Sequence, residues 1–372
     1  MYLLCFYMMD EEKTACLRLS LVDGLGPKTF QKIMDGFDSA MAFLKNKSAK
    51  DVNESYKDYF KNIRRKCYEI DIEQFVKKLE NLDIKYVSYK EQTYPHWLKQ
   101  INYPPIVIYY KGNYKAIDFG RCISIVGTRA NTDYGRRMIK KLIGPLVEAG
   151  LCIVSGMAFG IDKLAHEETL RCKGKTIAVL ASSVDKPSPS NNVEIYKKIL
   201  KQGLVVSEYP PGVSPTAGLF PVRNRIIAGI SLATVVIEAG ESSGALITGN
   251  SAFNNSRLLY ATPGSAFQQM SVGCNNLIKY EQAKLITCAE DIINDIKHMF
   301  PPRIDGGADG EFSSLPNLER MLMKKISREP MSEDKLMKLF DISTQDLLAS
   351  LSRLEIKGLI KSRGDGYYIM TD

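Results

Sequence analysis

The sequence predicts an α/β protein built on a doubly wound parallel sheet, with a helical region before it and a small winged helix after it. Three observations carry this. Six short runs rich in Ile and Val recur from about residue 121 onward, most of them separated by a helix-length segment. Strands covered on both faces read as such continuous apolar runs, and their alternation with helices marks a parallel sheet. The two ends have a different rhythm. The first 75 or so residues show helical spacing, and the last 55 read as three helices and a hairpin.

In chain order, "LRLSLVDGLGPKTFQKIMDGF" places apolar residues at helical spacing on both sides of Gly24–Thr29. Two helices joined by a Gly-x-Gly turn resemble a helix-hairpin-helix, whose turn N–H groups can hold a DNA phosphate. A plain helical turn accounts for the same residues equally well. Residues 45–66 are Lys-rich and expected to be exposed. Residues 84–113 alternate strand-like pieces with proline stops at Pro95 and Pro104-Pro105, and read as a connecting segment packed on the next domain. Then come "CISIVG", a helix over 134–149, "GLCIVSG", a helix over 160–172, "KTIAVLA", "LVVSEYP", "ATVVIEAG" and "RLLYATPG". Residues 300–317 are rich in Gly, Pro and Ser and read as a linker. In the last segment Ser332 caps a short helix, "DIS" turns, and a longer helix precedes "LIKSRGDGYYIM", a wing turning at Gly364-Asp365-Gly366. The recognition helix of this winged helix, near Ser343–Lys357, carries Asp346 and Glu355 beside Arg353 and Lys357. That balance suits a protein contact as well as a duplex. The expected domains are 1–78, 79–298 and 317–372, with 299–316 as linker.

The 372 residues suit two or three domains. Lys and Arg number 50 against 42 Asp and Glu, a net charge of +8. That admits an anionic partner such as nucleic acid without requiring one. Eight cysteines occur, none in a C-x-x-C pair and several within apolar runs, so they are expected to be reduced in a cytoplasm. The three histidines are far apart, and "HEETL" at His166 lacks the second His of a zinc-protease motif. No metal and no cofactor is expected. The opening "MYLLCFYMM" is too short to span a bilayer and lacks a basic leader, and no later run reaches roughly 18 apolar residues.

In a doubly wound sheet ligands bind beyond the carboxyl ends of the strands. The residues there are Gly127-Thr128-Arg129, Ser155-Gly156, Ser207-Glu208 and Glu238-Ala239-Gly240. "VGTR" offers a glycine turn, a hydroxyl and a guanidinium, a credible phosphate cradle. "SGMAFGID" leads two glycines into a helix without being G-x-G-x-x-G. "SSGALITG" (Ser242–Gly249) is a hydroxyl-rich helix start suited to anions. "FPVRNRIIAGIS" sets Arg223, Asn224 and Arg225 just after Phe220. Guanidinium donors beside an aromatic ring suit a stacked base with its phosphate held. The opposing reading puts Phe220 in the core and pairs Arg223 or Arg225 with Glu208 or Glu238.

In order, "SIVGTR", "IVSGMAFGID", "SEYPPG", "FPVRNRIIAGIS", "VVIEAGESSGALITG", "ATPG" and "GCNNLI" with "AKLI" resemble the DprA/Smf family of DNA-processing proteins. "YPHWLKQINYPPIVIYYKGN" and both terminal domains fit as well, so the resemblance covers nearly the whole chain. It implies an extended Rossmann-like domain, an N-terminal SAM or helix-hairpin-helix-like domain and a C-terminal winged helix. It also implies a homodimer that binds single-stranded DNA without catalysis. Such a protein displaces single-strand-binding protein and delivers the strand to the recombinase RecA in natural transformation. Carried over residue by residue, Arg129 with Gly127 and Thr128 would hold a phosphate. Phe220 would stack on a base, and Arg223, Asn224 and Arg225 would line the groove. Ser155, Gly156, Ser243, Gly244 and Thr248 would shape its floor, while Asp162 and Glu238 would orient loops.

One stretch departs from the family. After the third strand, "ASSVDKPSPSNN" has Ala181 and Ser183 in place of glycines and Ser188 in place of tyrosine, keeping Asp185, Pro189 and Asn192. Only Lys186 stands near, where the family often has a groove lysine. Gln282 replaces a further glycine. The rival readings are a nucleoside-monophosphate-hydrolysing or nucleotide-binding enzyme of related fold, and a transcriptional regulator led by the winged helix.

Overall fold

The six apolar runs form strands because each holds a short uncharged stretch, in five of them rich in β-branched residues, and most are closed by Gly, Ser or Pro. The structure is a computed structural model, and it describes residues 2–46, 56–299, 317–326, 330–340, 342–363 and 366–370. Residues 300–316 of the expected linker, Gly364-Asp365 of the wing turn and residues 47–55 of the Lys-rich stretch lie outside the described residues. The Lys-rich stretch is not wholly exposed as expected, because its residues 57–66 belong to an amphipathic helix that buries Phe60 and Ile63. The chain divides into two compact units, Met1–Asn294 and Asp295–Asp372.

The first unit opens with α1 (Tyr2–Ser20), α2 (Pro27–Gly36), α3 (Ala40–Leu44), α4 (Lys57–Glu69) and α5 (Ile72–Asn81). Strand β1 (Lys85–Ser88), helix α6 (His96–Lys99) and strand β2 (Val107–Gly112) follow. Then strands and helices alternate: β3 (Cys122–Gly127), α7 (Asp133–Glu148), β4 (Cys152–Ser155), α8 (Ile161–Arg171), β5 (Thr176–Val179), α9 (Val193–Gln202) and β6 (Leu204–Ser207). The second half continues with α10 (Leu219–Gly229), β7 (Ala233–Ile237), α11 (Gly244–Asn254), β8 (Leu258–Ala261), α12 (Val272–Lys279), β9 (Lys284–Leu285) and α13 (Ala289–Ile296).

The strand order is β1-β2-β6-β5-β4-β3-β7-β8-β9. From β6 to β9 every pair is parallel. The chain winds outward from β3 to β6, returns through α10 to the other side of β3, and winds outward again from β7. The direction of winding therefore reverses between β3 and β7, which is where such a sheet opens a crevice.

Residues 84–113 do more than connect. They form β1 and β2, which extend the sheet beyond β6 in antiparallel register, with Tyr109 opposite Ser207 and Gly112 opposite Leu204. Side chains alternate between faces along each strand. Tyr109, Ala178 and Val205 join a core with Phe30, Ile33, Phe43 and Phe60 of the N-terminal helices. Their neighbours Ile108, Ile177, Val179, Leu204 and Val206 join a core on the other face with Ile226 and Ile227 of α10. The N-terminal helices thus cover one face of the sheet. Arg18 fastens them, donating to the carbonyls of Cys67 and Ile70 at 2.8 Å each. The hairpin-like turn points inward, for Leu25, Gly26 and Pro27 line a cavity of about 210 Å³ with Glu208, Tyr209 and Val222.

The second unit holds α14 (Asn317–Ile326), β10 (Met331–Ser332), α15 (Glu333–Phe340), α16 (Thr344–Ile356), β11 (Ile360–Ser362) and β12 (Tyr367–Met370). Its sheet runs β10-β12-β11, so Ser332 belongs to a short strand the pattern does not reveal. Leu322, Leu336, Leu347, Leu351 and Leu354 make its core. On α16, Arg353 and Lys357 both donate to the buried carboxylate of Glu319, at 2.6 and 2.9 Å. Burial pushes that carboxyl up, but the two cations outweigh it and hold it below its ordinary value. The two basic residues of the expected recognition helix therefore serve the fold.

Candidate nucleic-acid interface

At the switch point between β3 and β7 the surface opens into a cavity of about 560 Å³. Of the residues expected at a binding site, Gly127, Thr128, Arg129, Phe220, Arg223, Asn224, Ser243, Gly244 and Thr248 line it. Ser155, Gly156 and Arg225 do not. Asp162, Ala158, Gly240, Ser242, Ile247 and Met270 line it too. Met270 was illegible because it reaches the site through a loop, touching the Thr128 hydroxyl at 3.5 Å to sulfur.

Three loops interlock to build the wall. The Thr128 N–H donates to the Glu238 carbonyl at 2.8 Å, and the Ile161 N–H donates to the Thr128 carbonyl at 3.2 Å. Gly160, at φ 75°, makes this crossing possible: a Cβ there would stand 2.3 Å from the Thr128 carbonyl oxygen. Glu238 secures the third side. Its carboxylate accepts from the Thr132 N–H at 3.0 Å and from the Thr132 hydroxyl, and so holds the 128–132 loop at the start of α7. Glu238 therefore orients a loop, the role the resemblance implied for it.

Helix α10 sorts the "FPVRNR" residues by phase. Successive side chains are about 100° apart, so positions three and four apart share a face. Phe220, Arg223, Asn224 and Ile227 accordingly face the cavity. Arg225 points elsewhere. It forms an ion pair with Glu208 and donates to the Tyr103 carbonyl at 2.9 Å. The salt-bridged alternative therefore describes Arg225.

Arg223 is a wall rather than a free cation. It is 3 % exposed. Its Nη1 donates to the carbonyls of Gly156 at 2.8 Å and of Val179, tying the end of β5 to the loop before α8. Burial lowers its pKa to about 10, opposed by Asp162 and reinforced by Arg129, so it stays cationic at neutral pH. Asp162 faces it from α8 and accepts the Gly156 N–H at 3.1 Å. Burial raises the Asp162 pKa and Arg223 pulls it back.

Arg129 is different. It is exposed, and its guanidinium lies 5.3 Å from the centroid of the half-buried Phe220 ring. Among the described contacts it has no carboxylate partner. Beside it the N-terminus of α11 lines the cavity through Ser242, Ser243 and Gly244, with the Ser243 hydroxyl capping the helix by accepting the Ala245 N–H at 3.3 Å. The site thus presents one free guanidinium, one aromatic face, and a helix N-terminus.

The serine-rich loop after β5 does not line the cavity. Ser183 instead fixes the "PPGV" loop, donating to the Val213 carbonyl at 3.1 Å and accepting the Gly212 N–H at 3.2 Å. Asn192 donates to the Met157 carbonyl at 2.8 Å, supporting the loop behind Gly156. Lys186 reaches only Ser214, at 3.3 Å.

Behind the wall, His166 is fully buried, with Nδ1 2.7 Å from the Thr176 hydroxyl. That hydroxyl gives its proton to the Ile153 carbonyl, so His166 must donate from Nδ1 and keep Nε2 bare. Burial, with Arg223 adding to it, lowers the His166 pKa to about 3. The folded state refuses a proton that the unfolded state accepts near pH 6.5, so this group costs stability as the pH falls below 6.5. The loss approaches about 1.4 kcal/mol per pH unit down to the folded pKa. We expect denaturant melts at pH 7 and pH 5 to show this loss in the wild type and a smaller one in His166→Gln. Equal losses in the two would remove His166 as its source.

Comparisons with known proteins place the chain in a family. The model of the DNA recombination-mediator protein A family matches residues 85–297, and that of the DprA winged helix domain matches residues 311–366. The DNA processing protein DprA of Bacillus subtilis is 37 % identical over 233 residues, which is 61 % of this chain and 78 % of that one. Protein Smf of Synechocystis is 30 % identical over 390 residues, covering 95 % and 97 %. The X-ray structure of DprA from Streptococcus pneumoniae superposes with a TM-score of 0.65 at 31 % identity, covering 76 % of this chain and 97 % of that one. A structure of DprA from Helicobacter pylori, concerned with that protein's single-stranded DNA binding mode, gives 0.53 at 28 % identity, covering 58 % and 98 %. The chain belongs to the DprA/Smf family of DNA-processing proteins.

Proposed function

We propose that this protein holds single-stranded DNA at the β3/β7 crevice without chemical change and passes it to RecA during natural transformation and recombination. The observation that carries the reading is Arg129, an exposed guanidinium set over the Phe220 ring beside the N-terminus of α11. A phosphate suits the guanidinium and the peptide N–H groups, and any base suits the ring face, so binding would be indifferent to sequence. The other charged groups support holding rather than catalysis, since Asp162, Glu238 and Arg223 are all engaged in fixing loops. The Helicobacter relative's single-stranded binding mode points the same way.

We also infer a homodimer. The sheet ends at the two-residue strand β9, and Phe253, Leu258, Tyr280 and Leu285 are exposed on the elements around that edge. Exposed apolar groups gathered at an open edge suit a second copy. Seven described cysteines are free, five of them buried, and no helix among the described residues is long and apolar enough to cross a membrane. Both fit a cytoplasmic setting.

The test is fluorescence anisotropy with labelled oligo-dT and with the matching duplex over a salt series, with light scattering on the same samples. We expect tighter binding of the single strand, a steep salt dependence, a mononucleotide that competes poorly, and the mass of a dimer. Equal affinity for both forms would refute the strand reading. A mononucleotide that competes as well as the oligomer would favour the nucleotide enzyme, and a monomeric mass would end the dimer proposal.

A further inference from the structure

Resting on that reading, we propose that the strand's path continues beyond the cavity: it crosses the ring of Phe267 and runs along the Arg136, Arg137, Lys140 and Lys141 face of α7. Neither feature has a task in the cavity itself.

The first observation is Phe267. It is 101 % exposed, at the tip of the loop between β8 and α12. The loop is firmly built at its base. Asn275 both accepts the Gly264 N–H at 3.1 Å and donates to the Gly264 carbonyl at 3.0 Å. At the tip the Gln268 N–H closes a turn onto the Ser265 carbonyl at 3.1 Å, and the Ser265 hydroxyl accepts the Phe267 N–H at 3.3 Å. A fixed turn therefore holds a large ring in water. Two contacts place it. Met270, three residues on, meets Thr128 in the cavity wall. Tyr134, in the first turn of α7, donates its hydroxyl to the Pro263 carbonyl. The loop that carries the ring is thus anchored both to the cavity wall and to the start of α7.

The second observation is the outer face of α7. Arg136, Arg137, Lys140 and Lys141 are all exposed. Two pairs, Arg136 with Lys140 and Arg137 with Lys141, place like charges four residues apart, which weakens a helix. A face evolved only for solvation would alternate signs. The acidic groups near it are few or engaged. Asp133 pairs loosely with Arg136 at 3.9 Å, and Glu168 is held by Arg171 at 2.5 Å. From Arg136 to Lys141 the helix rises about 7.5 Å, so the four cations make a short stripe rather than a point. The stripe begins one loop beyond Arg129. It supplies the positive charge that the serine-rich loop after β5 does not bring to the cavity.

A ring followed by a cationic stripe is the pattern by which a single strand is held without reading its sequence: bases stack and the backbone tracks the charge. The tests are Phe267→Ala and the quadruple variant R136Q/R137Q/K140Q/K141Q, with Arg129→Ala as the control for the cavity. Each is titrated with a labelled oligo-dT of about 5 nucleotides, enough for the cavity, and one of about 25, with site sizes as for one binding domain. All changes are at exposed positions, and thermal melts check that the variants fold. We expect the quadruple variant to bind the short strand like the wild type and the long strand at least tenfold more weakly. Its salt slope on the long strand should fall by about 3, that is 0.7 for each of four phosphates. Phe267→Ala should weaken long-strand binding several-fold and leave the salt slope alone. Arg129→Ala should weaken both lengths. If the quadruple variant and Phe267→Ala both bind the long strand like the wild type while Arg129→Ala fails on both, the track is wrong and the cavity reading stands. If Arg129→Ala also binds like the wild type, the cavity reading falls as well.

Discussion

Replacing Arg223 by alanine is expected to destabilise the first unit by about 3–5 kcal/mol, because it leaves a buried charge without its partner. The side chain is 3 % exposed and ties the carbonyls of Gly156 and Val179 together. Without it, both carbonyls lose a charged donor and the Asp162 carboxylate loses the cation that offsets its burial. Lysine does not replace it well, since one ammonium cannot reproduce a planar fork. A calorimetric melt should therefore show a fall on the order of ten degrees for Arg223→Ala and a smaller fall for Arg223→Lys. A second replacement, Asp162→Asn in the Arg223→Ala background, should recover part of the loss, because it removes the uncompensated charge. If Arg223→Ala melts like the wild type and loses only DNA affinity, Arg223 is a ligand group and its assignment to the wall is wrong.

That contrast shows what the sequence could and could not reveal. The alternation of apolar runs with helical segments located β3 to β8 and the helices α7 and α8, because periodicity and burial on both faces are local properties. The antiparallel pair β1 and β2 escaped for a non-local reason. Pro95, Pro104 and Pro105 break the segment, and the partner of Gly112 is Leu204, some 90 residues away. The motifs likewise listed loops that meet at one cavity, since the carboxyl ends of strands converge at the switch point. They did not say how side chains would turn. Arg223 and Arg225 look equivalent in "RNR", yet two residues along a helix is a rotation of about 200°. The phase was present in the sequence, as Ile227 stands four residues after Arg223 and is buried, but only the fold supplies Glu208 as the acceptor for Arg225. The same limit hides Phe267, whose exposure depends on a turn with no periodic signal.

Phe220→Ala is the sharpest test of the site, with an expected loss of about 1–3 kcal/mol in single-strand binding, or roughly 5- to 150-fold. The ring is half-buried between Arg129 and Arg223, whose guanidinium carbons lie 5.3 and 5.9 Å from its centroid. Stacking does not involve counterions, so the slope of log affinity against log salt should match that of the wild type. Arg129→Ala should behave in the opposite way, lowering the slope by about 0.7 for one phosphate of a single strand. The two are close enough to couple, because a ring that holds the guanidinium in place also aims it. A double-mutant cycle should give about 0.5–1 kcal/mol of coupling, the size of an exposed cation–π contact. Phe220→Trp should retain binding, since the larger ring keeps a stacking face. An alanine variant that binds like the wild type but melts lower would make Phe220 a packing residue, and the cavity would then have to hold phosphate without a base. A loss that appears together with a changed slope would show that the ring acts only by positioning Arg129.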